Sequence, residues 1–294
     1  MTARPVRELD TLPSLGSLYA TGLRRQVAAK LPGARPASLV LPDTEHRVSG
    51  VKADTRALVA YQRLMGDSVR DELPSAFVHG MVFPAAMSVL VRDDFPLPLL
   101  GMVHLRNEVE HFAPVAVDQV LDAVAYAQNL GSHHSGTTLE VVAEVRADGE
   151  MLWRGVSTYL ARGIWPGEKP ARHGAGRPPF VPPVRTASWS LGADTGRRFA
   201  SVLGDYNPIH LSAASAKLLG MKRQIAHGMY LAGRALATAA PHDGGYGWEV
   251  EFMTPAFLPG VVDVSIRQEE GSVSFDGWAS RSGKPHFTGA VSAL

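Results

Sequence analysis

An aspartate, an asparagine and a histidine fall in one short segment, Gly204-Asp205-Tyr206-Asn207-Pro208-Ile209-His210. A carboxylate and an imidazole this close in sequence can fold back to share a water molecule, which is the starting point of general acid–base chemistry on water. Asn207 before Pro208 is biased to an extended backbone, and Asn at N-cap with Pro at N1 is a favoured helix start. His210 then falls in the first helical turn, where the positive end of the helix dipole disfavours imidazolium and leaves the ring able to accept a proton. Further on, Ile225-Ala226-His227-Gly228 leads into the Ala/Leu-rich run Met229–Thr238, which reads as a long buried helix. Gly228 would open that helix, where backbone donors lack intrahelical partners and a glycine lets a ligand come close. The bland alternative has weight, because Asp-x-Asn-Pro alone is a common turn and cap string. His227 reads as a core histidine satisfied by backbone.

The elements that must position these groups recur along the chain. Four landmarks appear twice in the same order: Ala53-Asp54-Thr55 with Ala193-Asp194-Thr195, Gly66-Asp67 with Gly204-Asp205, His79-Gly80-Met81 with His227-Gly228-Met229, and Phe112-Ala113-Pro114 with Phe257-Leu258-Pro259. A repeat this long means a duplicated domain. Between the copies, residues 163–183 hold Pro166, Pro170, Pro178, Pro179, Pro182 and Pro183, the composition of a linker. The expected organisation is an extension at 1–40, a first domain at 41–162, the linker at 163–183 and a second domain at 184–294. Val261–Arg267, Ser272–Ala279 and His286–Ala293 read as strands, as do Val117–Ala127, Leu139–Arg146 and Met151–Leu160 in the first half. A helix followed by an antiparallel meander that must cover its apolar sides is an α+β arrangement in which the sheet wraps the helix.

Composition narrows the classes of function. The 294 residues carry 29 basic and 28 acidic side chains, a net charge of +1, so no global field recruits nucleic acid or an anionic membrane. The absence of cysteine excludes disulfides, thiolate metal sites and a cysteine nucleophile. His133-His134 and the pair His104 and His111 lack i, i+4 spacing and no His-Glu-x-x-His string occurs, so no metal is expected. Gly244-Gly245 shows neither a Walker nor a dinucleotide pattern, and no redox cofactor is expected. No apolar run is long enough to span a bilayer and the start lacks the apolar core of a signal peptide, so the expected location is the cytoplasm.

Asp205 to His210, continued through Gly220-Met221 to Ile225-Ala226-His227-Gly228, resembles the signature of the MaoC-like family, which includes R-specific enoyl-CoA hydratases and 3-hydroxyacyl-thioester dehydratases. One departure is visible, since Ser212 stands where an acidic residue commonly follows the histidine. The resemblance implies a double hot-dog fold, each half a long helix wrapped by an antiparallel sheet, with the halves forming a pseudo-dimer within one chain. It implies reversible hydration of trans-2-enoyl thioesters of CoA or acyl carrier protein in fatty-acid metabolism. The implied roles are water binding and activation by Asp205 and His210, water positioning by Asn207, and an oxyanion-stabilising backbone N–H on Gly228. Lys222 and Arg223 are candidates for the phosphates of a CoA or carrier-protein arm, although an exposed basic pair is more often a solvated turn.

The first half keeps Asp67 and His79-Gly80 but has no Asn-Pro-x-His between them: the step from Asp67 to His79 is twelve positions, against twenty-two from Asp205 to His227. One active site per chain is expected. The missing segment would leave room for an acyl chain, with Met81 and Phe83 as candidate lining, while the plain alternative makes them core. A thioesterase on the same fold and a non-catalytic acyl-thioester binder are the competing functions, and pairing of whole chains into a homodimer is left open.

Overall fold

The computed structural model describes residues 4–29, 39–165, 167–170, 178–241 and 245–294. Parts of the expected extension (1–3 and 30–38), parts of the expected linker (166 and 171–177) and Gly244 lie outside them. Among the described residues the chain runs β1 (Val6–Glu8), α1 (Leu15–Ala28), β2 (Glu45–Val51), α2 (Thr55–Met65), α3 (Ser75–Leu90), β3 (Met102–His111), β4 (Leu121–His133), β5 (Gly136–Ala147), β6 (Glu150–Arg162), β7 (Ala187–Leu191), α4 (Thr195–Leu203), a 3-10 turn at Pro208–His210, α5 (Ala213–Leu218), α6 (Gly228–Ala239), β8 (Tyr246–Phe252), β9 (Gly260–Glu269), β10 (Ser272–Ala279) and β11 (Pro285–Ala293).

The strands form a sheet in the order β1-β2-β4-β5-β6-β3-β8-β11-β10-β9-β7. Read inward from either side, β2-β4-β5-β6-β3 and β7-β9-β10-β11-β8 follow the same scheme. The halves meet at the antiparallel β3–β8 pair, where Asn107 faces Val250 and Val109 faces Trp248. α3 packs on β2, β4 and β5, α6 packs on β10 and β11, and the two helices touch each other. α3 is apolar nearly all round, as a helix enclosed by a sheet and a partner helix must be. The result is the expected α+β double hot-dog with an intrachain pseudo-dimer. No helix among the described residues is long and apolar enough to cross a membrane.

Local chemistry accounts for the boundaries. Asp54 caps α2, its carboxylate accepting from the Arg56 and Ala57 N–H groups at 2.7 and 3.2 Å. Gly66 and Gly204 end α2 and α4 in the left-handed region, with φ of 76° and 77°, where glycine carries no steric cost. The expected strand at Val117–Ala127 begins only at Leu121. Residues ahead of it are held instead by the loop before α3, through Leu73 N–H to Val115 O and Val117 N–H to Asp71 O, each 2.8 Å.

The repeat landmark at His79-Gly80 needs correction. Gly80 lies against Leu203 at the end of α4, and Gly233 lies against Met65 at the end of α2, so Gly80 is the counterpart of Gly233. Two isolated bridges agree: Glu72 pairs with Ala116 three residues before α3, and Ile225 with Phe257 three residues before α6. Gly228 therefore corresponds to Ser75, and His79 sits inside α3 with no link to His227. Asp67 lies eight residues before Ser75, whereas Asp205 lies twenty-three before Gly228. The stretch peculiar to the second half is longer than the sequence landmarks indicated, and it contains Asn207–His210 and α5.

Candidate active site

Asp205, the turn from Asn207 to His210, His227 and Gly228 come together at the N-terminus of α6. Asn207 caps the 3-10 turn as expected, its side-chain oxygen accepting from the Ile209 N–H at 3.4 Å, with Pro208 next in sequence. The turn is pinned from two sides, for Ile225 donates its N–H to Ile209 O at 3.1 Å while its carbonyl accepts from His210 Nδ1 at 2.9 Å. A carbonyl only accepts, so the proton of the neutral His210 ring sits on Nδ1 and Nε2 keeps its lone pair. Ser212 caps α5, accepting from the Ser215 N–H at 3.1 Å, and Ser215 Oγ donates to Pro208 O at 2.7 Å. Serine serves as well as aspartate in that capping role, so the departure from the family pattern leaves the turn intact.

His227 is the N-cap of α6, and its Nε2–H donates to the Asp205 carbonyl at 3.1 Å, with Asp205 Oδ2 at 3.7 Å. The backbone contact agrees with a structural histidine, but its ring also stacks on that of His210 at 3.6 Å between centroids. Burial, then the neighbouring His227, push His210 down to about 3, and burial pushes His227 down to about 4. Both rings are therefore neutral near pH 7. The cause differs from the expected one: desolvation dominates, and a three-residue 3-10 turn offers little dipole.

Ligand-type atoms of Asp205, His210 and His227 lie within 4.8 Å of one another. His210 and His227 stand seventeen positions apart, so no i, i+4 spacing in the sequence signals this trio. One carboxylate and two imidazoles can suit a divalent transition metal; they equally suit a water held between a base and a carboxylate.

Gly228 occupies N1 of α6, where a backbone N–H has no intrahelical acceptor. A Cβ here would press on the Phe252 ring at 2.9 Å, so packing as well as ligand approach calls for glycine. From Phe252 a line of rings leads into the first half: His104 at 5.1 Å, then His79 at 6.3 Å from His104, then Phe83 at 5.8 Å from His79. Phe83 and Met81 are partly buried on α3 and pack against the core. Lys222 and Arg223 are exposed in the turn after α5, where the Arg223 guanidinium lies 5.5 Å from the Phe257 ring centroid. No contact joins either cation to Asp205 or His210 among the described residues.

One neighbour escaped sequence reasoning. Tyr19, on α1 and 186 residues away in sequence, donates its hydroxyl to Asp205 Oδ1 at 2.6 Å. No local pattern connects the two.

α4 supports the turn from below. Arg197 donates to Leu211 O at 2.9 Å, and Gly196 packs so closely that a Cβ would meet the backbone carbonyl of His210. Gly196→Ala is expected to cost about 1–3 kcal/mol through overpacking and to displace His210. The combination to look for is a lowered melting temperature together with a fall in turnover beyond what the unfolded fraction explains.

Comparison with known proteins bears on the same region. A family model described as "MaoC like domain" matches residues 173–286. The chain is 30% identical over 278 residues to the 3-hydroxyacyl-thioester dehydratase X of Mycobacterium tuberculosis (strain ATCC 25618 / H37Rv), covering 92% of this chain and 97% of the relative. Among solved structures, HtdX of Mycobacterium tuberculosis superposes with a TM-score of 0.75 at 27% identity, over 85% of this chain and all (100%) of that one. A MaoC-like dehydratase from Phytophthora capsici gives 0.66 at 17% identity over 87% and 96% of the two chains, a likeness of fold.

Proposed function

The chain belongs to the MaoC-like dehydratase family and is a hydro-lyase, and from that premise we propose that it interconverts trans-2-enoyl and (R)-3-hydroxyacyl thioesters of CoA or acyl carrier protein, in fatty-acid metabolism. The observation that carries this reading is the convergence of Asp205, His210 and the first turn of α6. In the hydration direction, a water lies between Asp205 and His210, with the Asn207 side chain helping to place it. His210 Nε2 removes a proton while the oxygen bonds to C3 of the enoyl group. The π electrons move onto the thioester oxygen, where the Gly228 N–H stabilises the developing negative charge. The proton then passes to C2, and the neutral 3-hydroxyacyl thioester results with all atoms accounted for. Dehydration is the same path reversed.

The name of the mycobacterial relative supports a thioester substrate. The line of rings from Phe252 to Phe83 supports Met81 and Phe83 as one wall of the acyl site. For Lys222 and Arg223 as phosphate contacts the support is their charge and exposure.

Adding the pure protein to a 2-enoyl-CoA is expected to deplete the enoyl-thioester absorbance, and chiral analysis to return the R product. An S product would refute the assignment. Release of free thiol without hydration would point to a thioesterase instead.

A further inference from the structure

The N-terminal segment supplies α1, and α1 is seated at one end on the residue before Asp205 and at the other on the end of α3 and the loop that follows it. Ser14 caps it, accepting from the Ser17 N–H at 3.2 Å. Leu15, Leu18, Tyr19 and Gly22 fall at i, i+3, i+4 and i+7, one face of a helix. At the first turn, Leu15 lies beside Gly204, the residue before Asp205. Near the other end, Gly22 packs on Leu99, and the Arg25 guanidinium donates to the carbonyls of Phe95 (2.9 Å), Asp93 (3.3 Å) and Leu90 (3.5 Å). Between these anchors Tyr19 reaches Asp205.

We propose that Tyr19 is a positioning residue for the reaction: its hydroxyl, held by the docked helix α1, fixes the Asp205 carboxylate by donating to Oδ1 and so leaves Oδ2 directed at the water. This rests on the role assigned to Asp205 above. The 2.6 Å separation is that of a charge-assisted O–H···O⁻ bond. The Asn207 N–H adds a longer contact to the same oxygen at 3.4 Å, and His227 Nε2 stands 3.7 Å from Oδ2. Without Tyr19 only these two longer contacts would restrain the carboxylate about χ2, a broad torsion. Burial and the negative charge of Asp205 raise the phenol far above its ordinary range, so it is a donor near pH 7. The Asn207 side chain also bears on this hydroxyl, so Tyr19 touches two of the three groups that surround the proposed water, Asp205 and Asn207.

The test is Tyr19→Phe in the full chain, which keeps the ring and removes the donor. With a 2-enoyl-CoA as substrate, kcat is expected to fall about tenfold to a hundredfold, the usual worth of a hydrogen bond to a charged group, with KM within about twofold of the wild type by the same reasoning that orientation and not binding is lost. On an Asp205→Asn background the same change is expected to cost nothing further, since there is no catalytic carboxylate left to orient. An unchanged or raised kcat would overturn the proposal, the latter marking the hydroxyl as a plug. An equal loss on both backgrounds would also overturn it, because it would mean that α1 had shifted. If Asp205→Asn itself keeps full activity, the proposed function fails first, and that failure is read separately from the Tyr19 result. Arg25→Ala loosens the same helix away from the carboxylate; it is expected to lower the melting temperature while Tyr19→Phe still costs nothing further on the Asp205→Asn background.

Discussion

Asp205→Asn and His210→Ala are each expected to lower kcat for enoyl-thioester hydration by about 10²–10⁴, the range for loss of a general acid or base. The two changes act differently on the fold. An asparagine in place of Asp205 is nearly isosteric, able to keep a partner for the Tyr19 hydroxyl while losing the charge that binds and polarises the water. His210→Ala removes the ring that stacks on His227 and leaves Ile225 O without its donor, so some loss of stability accompanies the loss of turnover. Because the two side chains serve one water, the double variant is expected to be little worse than the poorer single variant. Steady-state rates, with folding checked by thermal melts, decide the matter. A variant that retains more than about a tenth of the activity would remove its residue from the mechanism, since a tenfold effect is only about 1.4 kcal/mol.

The segment carrying these two residues was legible because it is local. Asn-Pro sets a cap, the cap places His210 in a turn, and each step follows from backbone preferences over a few residues. The helix at α6 was legible in the same way, from Ala/Leu richness and its opening glycine. Its first-half counterpart was misaligned, because His79-Gly80 copies the letters of His227-Gly228 while packing fixes Gly80 against Leu203, as Gly233 is fixed against Met65. Similar dipeptides cannot report which side of a helix faces which neighbour. The strands β3 and β8 went unread although Arg106, Glu108 and Glu110 alternate with inward residues in one and Glu249 and Glu251 in the other. Their charges belong to an outer face where Arg106 pairs with Glu108 at 3.0 Å and with Glu249 across the junction of the halves. Tyr19 had no sequence signal at all, since its value depends on a tertiary contact spanning 186 positions.

The neutrality of His210 was expected from a helix dipole and is instead a matter of burial, and burial extends well beyond the site. His46, His79, His111 and His227 are pushed down to about 4, and His104 and His210 to about 3, in each case chiefly by desolvation. In the unfolded chain these rings titrate near 6.5. Between about pH 6.5 and pH 4 the unfolded state therefore binds protons that the native state refuses, so stability falls as pH falls through that window and is fully present above it. Each such ring contributes a slope of up to about 1.4 kcal/mol per pH unit. Six acting together would remove a stability of about 5–15 kcal/mol within roughly one to two units. The expected result is cooperative acid unfolding with a midpoint between about pH 5 and 6, followed by far-UV circular dichroism at fixed temperature. His79→Leu takes away one ring, packed against those of Phe83, His104 and Trp153, and puts an apolar side chain in its place, so it should move the midpoint to lower pH. A wild-type midpoint near pH 3, where carboxylates titrate, would show that the histidines accept protons without unfolding and that desolvation is not what holds His210 in the form the reaction needs.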